Sequence, residues 1–349
     1  MSGIVFGGYG VFGSQVARAL VAEGTLLRIA GRDAARAADF ASGLGGGHEG
    51  MAADVQDPAS CARALEGMRV AVNCAGPFSA MSLALPEACL AAGVHYVDIA
   101  DDRGWFARLR GLDGRFRERG LTAACGCSTL PGISGALALA AAERLPEVHR
   151  ARITLFIGNR NPKGEAAVAS AAAQLGRPFQ APQGTLTGFR GREVVPVPPP
   201  FGPRAVYDFD SPELDLFPEL IGAREIRVKV GFESRFATAA FAALAHLGPD
   251  AGLRMARASA PLARRLSGLG HSGGYVLVEL FADGARAAAS MGGPEEGQRM
   301  ASLPAAFVAQ DLLDGAVTAR GAVTAYEALG ARALLERLVA AGFREALTP

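Results

Sequence analysis

Apolar positions along the first third of the chain follow two alternating rhythms. Short apolar runs at 2–6, 25–30, 49–53, 69–74, 94–98 and 121–125 predict strands. Between them, 14–23, 33–42, 58–67, 80–92 and 106–119 carry apolar residues at helical spacing. Each helical stretch closes near a glycine, at Gly24, Gly43, Gly67, Gly93 and Gly120, where a left-handed residue costs least. Parallel strands need helical crossovers, so this alternation predicts an α/β fold, a doubly wound parallel Rossmann sheet over 1–132.

After Pro131-Gly132 an Ala/Leu-rich helix runs to about Leu145, and the texture then changes. Residues 152–157, 225–233 and 275–281 read as strands, the last antiparallel near a turn at Asp283-Gly284. The stretch 185–207 mixes β-prone residues with Pro196, Pro198, Pro199 and Pro200, which exclude helix and central strand and leave edge strands and loops. A second, α+β domain with a mainly antiparallel sheet is therefore expected over 133–302. Helical spacing returns at 304–315 and 326–342, and the helices of 303–349 are expected to complete the first domain.

Composition narrows the function. A chain of 349 residues exceeds a single hydrophobic core, which agrees with two domains. With 35 basic and 34 acidic side chains there is no global field to draw nucleic acid or an anionic membrane. No uncharged run approaches the roughly 20 residues that span a bilayer. The sequence enters Ile4-Val5-Phe6 without a basic, cleavable leader, so a cytoplasmic, soluble protein is expected. Five scattered cysteines form no disulfide framework. Cys125-Gly126-Cys127 invites a metal reading, but no second Cys/His pair completes a tetrahedron, and no metal site is expected.

Directly after the first strand stands Gly8-Tyr9-Gly10-Val11-Phe12-Gly13, a G-x-G-x-x-G that opens a helix. In that setting the glycines make the turn, admit the pyrophosphate and pack helix on strand, while the helix N-terminus faces the phosphates. The second strand ends in Ala30-Gly31-Arg32-Asp33. An NAD-selecting acid is missing from its tip, and Arg32 offers a guanidinium fork to a 2′-phosphate, so the expected cofactor is NADP(H). Asp33 either borders that phosphate or caps the next helix. Asp54 either accepts from the adenine amino group or caps a helix. Asn73, Ala75, Gly76 and Pro77 follow the fourth strand, where an open turn runs beside the nicotinamide ribose; Asn73 is otherwise only a turn residue.

Together Gly7–Gly13, 30–33, 72–78, His95-Tyr96-Val97-Asp98, Leu130-Pro131-Gly132 and the later 321–327 resemble the saccharopine dehydrogenase family in its broad sense. The resemblance covers the first 135 residues well and the rest more loosely. It implies a cofactor domain completed by C-terminal helices, a sheet-based substrate and dimerisation domain, a homodimer, and hydride transfer to a small-molecule substrate at a cleft. One departure stands out: many members continue the fifth strand into a Gly-Glu pair, whereas here Asp98 is followed by Ile99-Ala100-Asp101-Asp102-Arg103.

Hydride transfer needs a positioned carbon and a proton donor or acceptor for the heteroatom. His95, Tyr96, Asp98 and Asp101 cluster about the fifth strand as candidates. Against this, His95 is also readable as a strand-edge residue, and Asp98 or Asp101 as a helix cap. Cys127 is either a nucleophile at a helix entrance or a packing thiol. A substrate carboxylate would need a clamp, for which Arg204 and Arg235 lie in loop-like settings, and His271 sits in a loop able to cover a cleft. Alternating Arg227 and Lys229 are expected on a solvated strand face. Three functions compete: an NADP(H)-dependent oxidoreductase working on a C–N bond of an amino-acid or opine-like substrate, an NADPH-dependent reductase of a C=O or activated C=C bond, and a non-catalytic NADP sensor or scaffold.

Overall fold

The computed structural model describes residues 2–162, 165–251, 254–255 and 268–348. They fall into two compact units, Met1–Gly132 with Ala301–Gly330, and Ile133–Met300 with Ala331–Pro349. The chain begins with β1 (Gly3–Phe6), α1 (Val11–Ala22), β2 (Leu27–Gly31), α2 (Ala34–Gly43), β3 (Glu49–Ala52), α3 (Pro58–Leu65) and β4 (Val70–Asn73). It continues through α4 (Ala84–Ala92), β5 (His95–Asp98), α5 (Arg103–Arg110), α6 (Asp113–Glu118) and β6 (Thr122–Cys125). The second unit then holds α7 (Ser134–Ala142), β7 (Arg150–Ile157), α8 (Glu165–Ala173), β8 (Pro178–Ala181), β9 (Gly184–Thr187), β10 (Glu193–Val197) and β11 (Gly202–Asp208). It continues with α9 (Glu213–Ile221), β12 (Glu225–Phe232), α10 (Arg235–Leu244), β13 (Gly274–Ala282) and β14 (Ala285–Gly293). Finally α11 (Gly297–Leu313), β15 (Gly321–Thr324) and α12 (Ala325–Leu329) lead through the first unit, and α13 (Ala331–Ala340) and β16 (Arg344–Thr348) end in the second.

The first unit is a seven-stranded sheet in the order β15-β6-β5-β4-β1-β2-β3, parallel at every pairing. Strands β1, β4 and β6 are buried along their whole length, as expected of a parallel sheet covered on both faces. Strand order reverses between β1 and β4, and the carboxyl edge at that switch point is where such sheets take ligands.

Two expectations are corrected here. The helical pattern of 106–119 is two helices, because the turn at Gly111-Leu112 buries Leu112 and Phe116 and points Asp113 Oδ1 at the Ala322 N–H of β15, 2.8 Å away. Residues 303–349 do not all complete the first sheet, since its seventh strand is β15, whereas 331–349 join the second unit and end in a strand.

The second unit carries a mixed sheet in the order β10-β11-β12-β7-β13-β14-β16, in which β12 and β7 are parallel and the other pairs antiparallel. Lys229 was expected to be solvated and is instead 0% exposed. Its Nζ lies 2.7 Å from Asp208 Oδ1 and 2.9 Å from Glu193 Oε1, and it donates to the Gly191 carbonyl. Arg152 extends the ladder, 2.8 Å from Glu193 and 2.6 Å from buried Glu279, and half-buried Arg227 reaches Asp208 at 3.3 Å. Alternation along β12 cannot show this, because the partners come from β7, β10, β11 and β13.

An uncompensated charge in such a place is costly. Lys229→Ala, which strips Asp208 of its closest cation, is expected to lower stability by about 3–5 kcal/mol in urea unfolding. Arg332→Ala, which removes an exposed pair with Glu336 on α13, should cause no measurable loss. Burial alone would raise the Glu193 carboxyl, but hydrogen bonds from Lys229 and Arg152 hold it below its ordinary value of 4.5. Its contribution is therefore complete above pH 4.5 and lost as pH falls through the lowered value, and an acid titration of unfolding in wild type against Glu193→Gln checks that slope.

Candidate functional site

The loop between β1 and α1 is held by its own backbone. Gly7 N–H donates to Ala30 O at 2.8 Å, Gly10 N–H to Gly7 O at 2.9 Å, and Ser14 N–H to Gly10 O at 3.0 Å. A Cβ on Gly13 would collide with the Gly7 carbonyl, so helix and turn can approach this closely only without a side chain there. Gly10 caps α1 with no side-chain hydrogen bond, and no acidic residue stands in the first turn. The N–H groups at this helix start are thus left for an anion, and the glycine cradle fits a pyrophosphate.

At the tip of β2 the structure adds what the motif does not show. A Cβ on Gly31 would run into the Tyr9 ring, which lies over it, and Tyr9 Oη accepts from Asp33 N–H at 3.1 Å. The Arg36 guanidinium stacks on that ring, 4.6 Å from its centroid. Asp33 is the N-cap of α2, accepting from Arg36 N–H at 3.1 Å. Arg32 is exposed. Sequence reading missed Arg36, although its spacing of one helical turn from Arg32 was the available signal. Asp54 is exposed and accepts from Gln56 N–H at 2.9 Å, and the helix cap considered for it belongs to Asp57.

Three loops at the other half of the carboxyl edge share one hydrogen-bonded chain. Asn73 Oδ1 accepts from Ala75 N–H at 3.1 Å, and its Nδ2 donates to Tyr96 Oη at 3.1 Å. Asp98, 0% exposed, hydrogen-bonds Tyr96 and accepts from Ala100 N–H at 3.1 Å, Gly126 N–H at 2.8 Å and Trp105 Nε1–H at 2.7 Å. Burial pushes its carboxyl up against the pull of these donors. Neither Asp98 nor Tyr96 has an open face, and burial also drives the Tyr96 phenol well above its ordinary range. Gly76 is exposed beside them, and Ala75 and Pro77 are half-buried.

His95 stands at the opposite, amino end of β5, where its Nδ1 accepts from Thr122 N–H at 3.0 Å. Burial, with Arg320 and Arg69 nearby, lowers its pKa and keeps the ring neutral. It is therefore a strand-end residue. Asp102 caps α5 through Trp105 N–H at 2.7 Å, which leaves Asp101 as the half-buried carboxylate, pushed up to about 6 by burial. Cys127 is a buried packing thiol with its pKa driven well above normal by burial and by Asp98, which removes the nucleophile reading.

In the second unit, Arg204 is half-buried on β11; its Nη1 donates to Pro203 O at 3.0 Å, and its Nε is buried with no partner among the described residues. Arg235 is not in a loop but opens α10, exposed, behind the Ser234 cap. His271 Nδ1 lies 2.7 Å from Glu233 Oε1, a partner that nothing in the sequence spacing signals. Among the described residues Glu147, His149 and Asp283 form one group with metal-ligand chemistry; both carboxylates are exposed, and His149 Nε2 pairs with Glu147 at 3.1 Å. No helix among the described residues is long and apolar enough to cross a membrane.

Residues 4–123 match the family described as saccharopine dehydrogenase NADP binding domain. No curated protein sequence matches the chain. Among solved structures, apo saccharopine dehydrogenase (L-Glu forming) from Saccharomyces cerevisiae superposes with a TM-score of 0.70 over 100% of both chains at 13% identity, which establishes a shared fold. GenD2 from gentamicin A biosynthesis, solved with NAD, gives 0.46 at 16% identity over 100% of this chain and 96% of its own. A short-chain dehydrogenase/reductase from Mycobacterium ulcerans gives 0.31 at 17% identity over 36% of this chain and 65% of its own. The glycine cradle, the seven-stranded parallel sheet and the match over residues 4–123 together give this chain a domain similar to the saccharopine dehydrogenase NADP binding domain.

Proposed function

We propose that the chain uses NADP(H) to move a hydride at a C–N bond, between an amine and an imine, in an amino-acid or opine-like substrate. The observation that carries the cofactor half is the exposed Arg32 beside the Tyr9–Arg36 stack, at a strand tip whose adjoining carboxylate, Asp33, is turned to capping α2. Two guanidinium groups one helical turn apart suit a 2′-phosphate. When bound, the dinucleotide supplies or accepts the hydride at its nicotinamide C4. In this reading Gly8, Gly10 and Gly13 leave room for the pyrophosphate, and Asn73 holds the turn through Ala75, Gly76 and Pro77 beside the nicotinamide ribose.

The substrate half rests on charge. Asp101, near the carboxyl edge of β5, is suited to the substrate ammonium. As part of the same reading the enzyme works in the cytoplasm as a homodimer on small molecules, which light scattering on the purified protein checks.

Fluorescence titration should show NADPH binding more tightly than NADH. Arg32→Ala is expected to weaken NADPH roughly 10–100-fold and leave NADH unchanged, the loss of one or two charged hydrogen bonds. Equal weakening of both would sink the 2′-phosphate assignment. A screen of amines paired with carbonyl compounds for NADPH oxidation tests the C–N half, and turnover only on lone carbonyls would replace it. With an active pair, KM should rise as pH drops below about 6, where Asp101 takes up a proton and loses its charge. Asp101→Asn should give a high KM that no longer changes through that range.

A further inference from the structure

At the amino end of β7, three side chains of the second unit converge on one point of its surface. The chain approaches the strand through Glu147-Val148-His149, in which Val148 is buried while its two neighbours turn outward. Facing them is Asp283, in the two-residue turn that joins β13 to β14 and holds Gly284 at φ +71°. His149 Nε2 lies 3.1 Å from Glu147 Oε1 and 3.6 Å from Asp283 Oδ1, and ligating atoms of all three residues fall within 4.8 Å of one another.

Backbone hydrogen bonds fix the imidazole in place. His149 N–H donates to Phe281 O at 2.9 Å, and the His149 carbonyl accepts from Arg224 N–H at 2.9 Å and from Glu225 N–H at 3.1 Å. The residue is thereby pinned between the start of β12 and the end of β13.

Pairing of a charged imidazole with two counter-ions does not account for the geometry. An imidazolium offers N–H groups on opposite sides of its ring, so two carboxylates serving only its charge would be best placed one on each nitrogen. Here both approach Nε2. Two like charges this close repel, and among the described residues neither Glu147 nor Asp283 has a lysine or arginine partner. Arg150, next in sequence, instead lays its guanidinium over the Phe281 ring, 4.2 Å from the centroid. Zinc bonds to nitrogen and oxygen of about 2.0–2.2 Å set neighbouring ligand atoms about 2.8–3.6 Å apart. Both distances from Nε2 fall in that range.

We propose that Glu147, His149 and Asp283 bind a divalent ion of the zinc class, through His149 Nε2 and one oxygen of each carboxylate. An imidazole ligand selects such ions over calcium and magnesium, which take oxygen ligands. Three protein ligands on an open surface leave the remaining positions to water. The ion fastens the segment before β7 to the turn between β13 and β14, a structural role independent of the hydride-transfer reading.

The test uses the untagged, full-length protein, stripped with EDTA and dialysed. Calorimetric titration with ZnCl2 should show one site per chain, and CaCl2 or MgCl2 should bind far more weakly. His149→Ala and Asp283→Asn should each weaken zinc at least roughly 10–100-fold. His271→Ala, which removes the half-exposed imidazole facing Glu233, should bind zinc as the wild type does. Saturating zinc should raise the wild-type Tm by a few degrees and leave that of His149→Ala unmoved. Zinc K-edge absorption reads the ligands of the wild type without any substitution. Nitrogen and oxygen at about 2.0–2.2 Å with a single imidazole support the site, whereas sulfur at about 2.3 Å would put the ion on cysteines and overturn it. The proposal also fails if the wild type takes up no zinc, if calcium binds as tightly, or if either ligand variant binds zinc unchanged; the three residues are then a surface ion pair only.

Discussion

At the carboxyl edge of the first sheet, one dehydrated carboxylate ties together the loops that follow neighbouring strands. Asp98 receives N–H groups from Ala100, Gly126 and Trp105, and through Tyr96 and Asn73 the same chain of bonds reaches Ala75. Its own carbonyl accepts from Cys127 N–H at 2.8 Å. The turns after β4, β5 and β6 are therefore set by a single group. A buried carboxylate is tolerated because every donor around it is satisfied, and satisfied networks of this kind rigidify what they join. The consequence for chemistry is a division of labour. Asp98, placed where a catalytic acid was expected, has its acceptor capacity spent on the loops, and the neighbouring Asp101 keeps a carboxylate with no such duty.

The parts that were legible in the sequence are those that local backbone physics decides. Gly8-Tyr9-Gly10-Val11-Phe12-Gly13 follows a strand and opens a helix, so its geometry is nearly forced by what a Cβ would strike. The strand and helix rhythm of 1–132 was legible because parallel strands buried on both faces read as apolar runs. The break at Gly111-Leu112 was not, because it serves a hydrogen bond that Asp113 accepts from the Ala322 N–H of β15, more than two hundred residues away. The same limit hid the role of Asp98. Its neighbours in sequence suggest a helix cap, and only the fold brings Gly126 and Trp105 to it.

In the second unit the limit is more severe, because its decisive contacts run across strands. Lys229 looks like one member of an ordinary polar alternation, and its burial follows from Asp208 and Glu193 on strands that the proline-rich stretch obscured. Glu233 and His271 lie 38 residues apart, and each alone is unremarkable in the sequence. What joins them is β7, whose end at Ile157 pairs in parallel with the end of β12 at Phe232 and antiparallel with the start of β13 at Gly274. Strand register can thus bring side chains together while leaving little mark on local sequence pattern.

The choice of dinucleotide shows the same interplay at smaller scale. An arginine in place of an acid at the tip of β2 is the readable signal, but it acts within a setting that Gly31 creates. Because Gly31 lacks a Cβ, the Tyr9 ring can lie over the strand end, and its hydroxyl can take the Asp33 N–H. Arg36 then rests on the outer face of that ring, held by cation–π attraction of about 0.5–1 kcal/mol at an exposed site. Asp33, the one acid at the tip, is turned toward the start of α2 and satisfies the Arg36 N–H. Even a residue as small as alanine at position 31 would displace the ring, release Arg36 from its platform and disturb the turn that keeps Asp33 engaged. The strand tip that the exposed Arg32 shares is accordingly shaped by Tyr9, Gly31, Asp33 and Arg36 acting together.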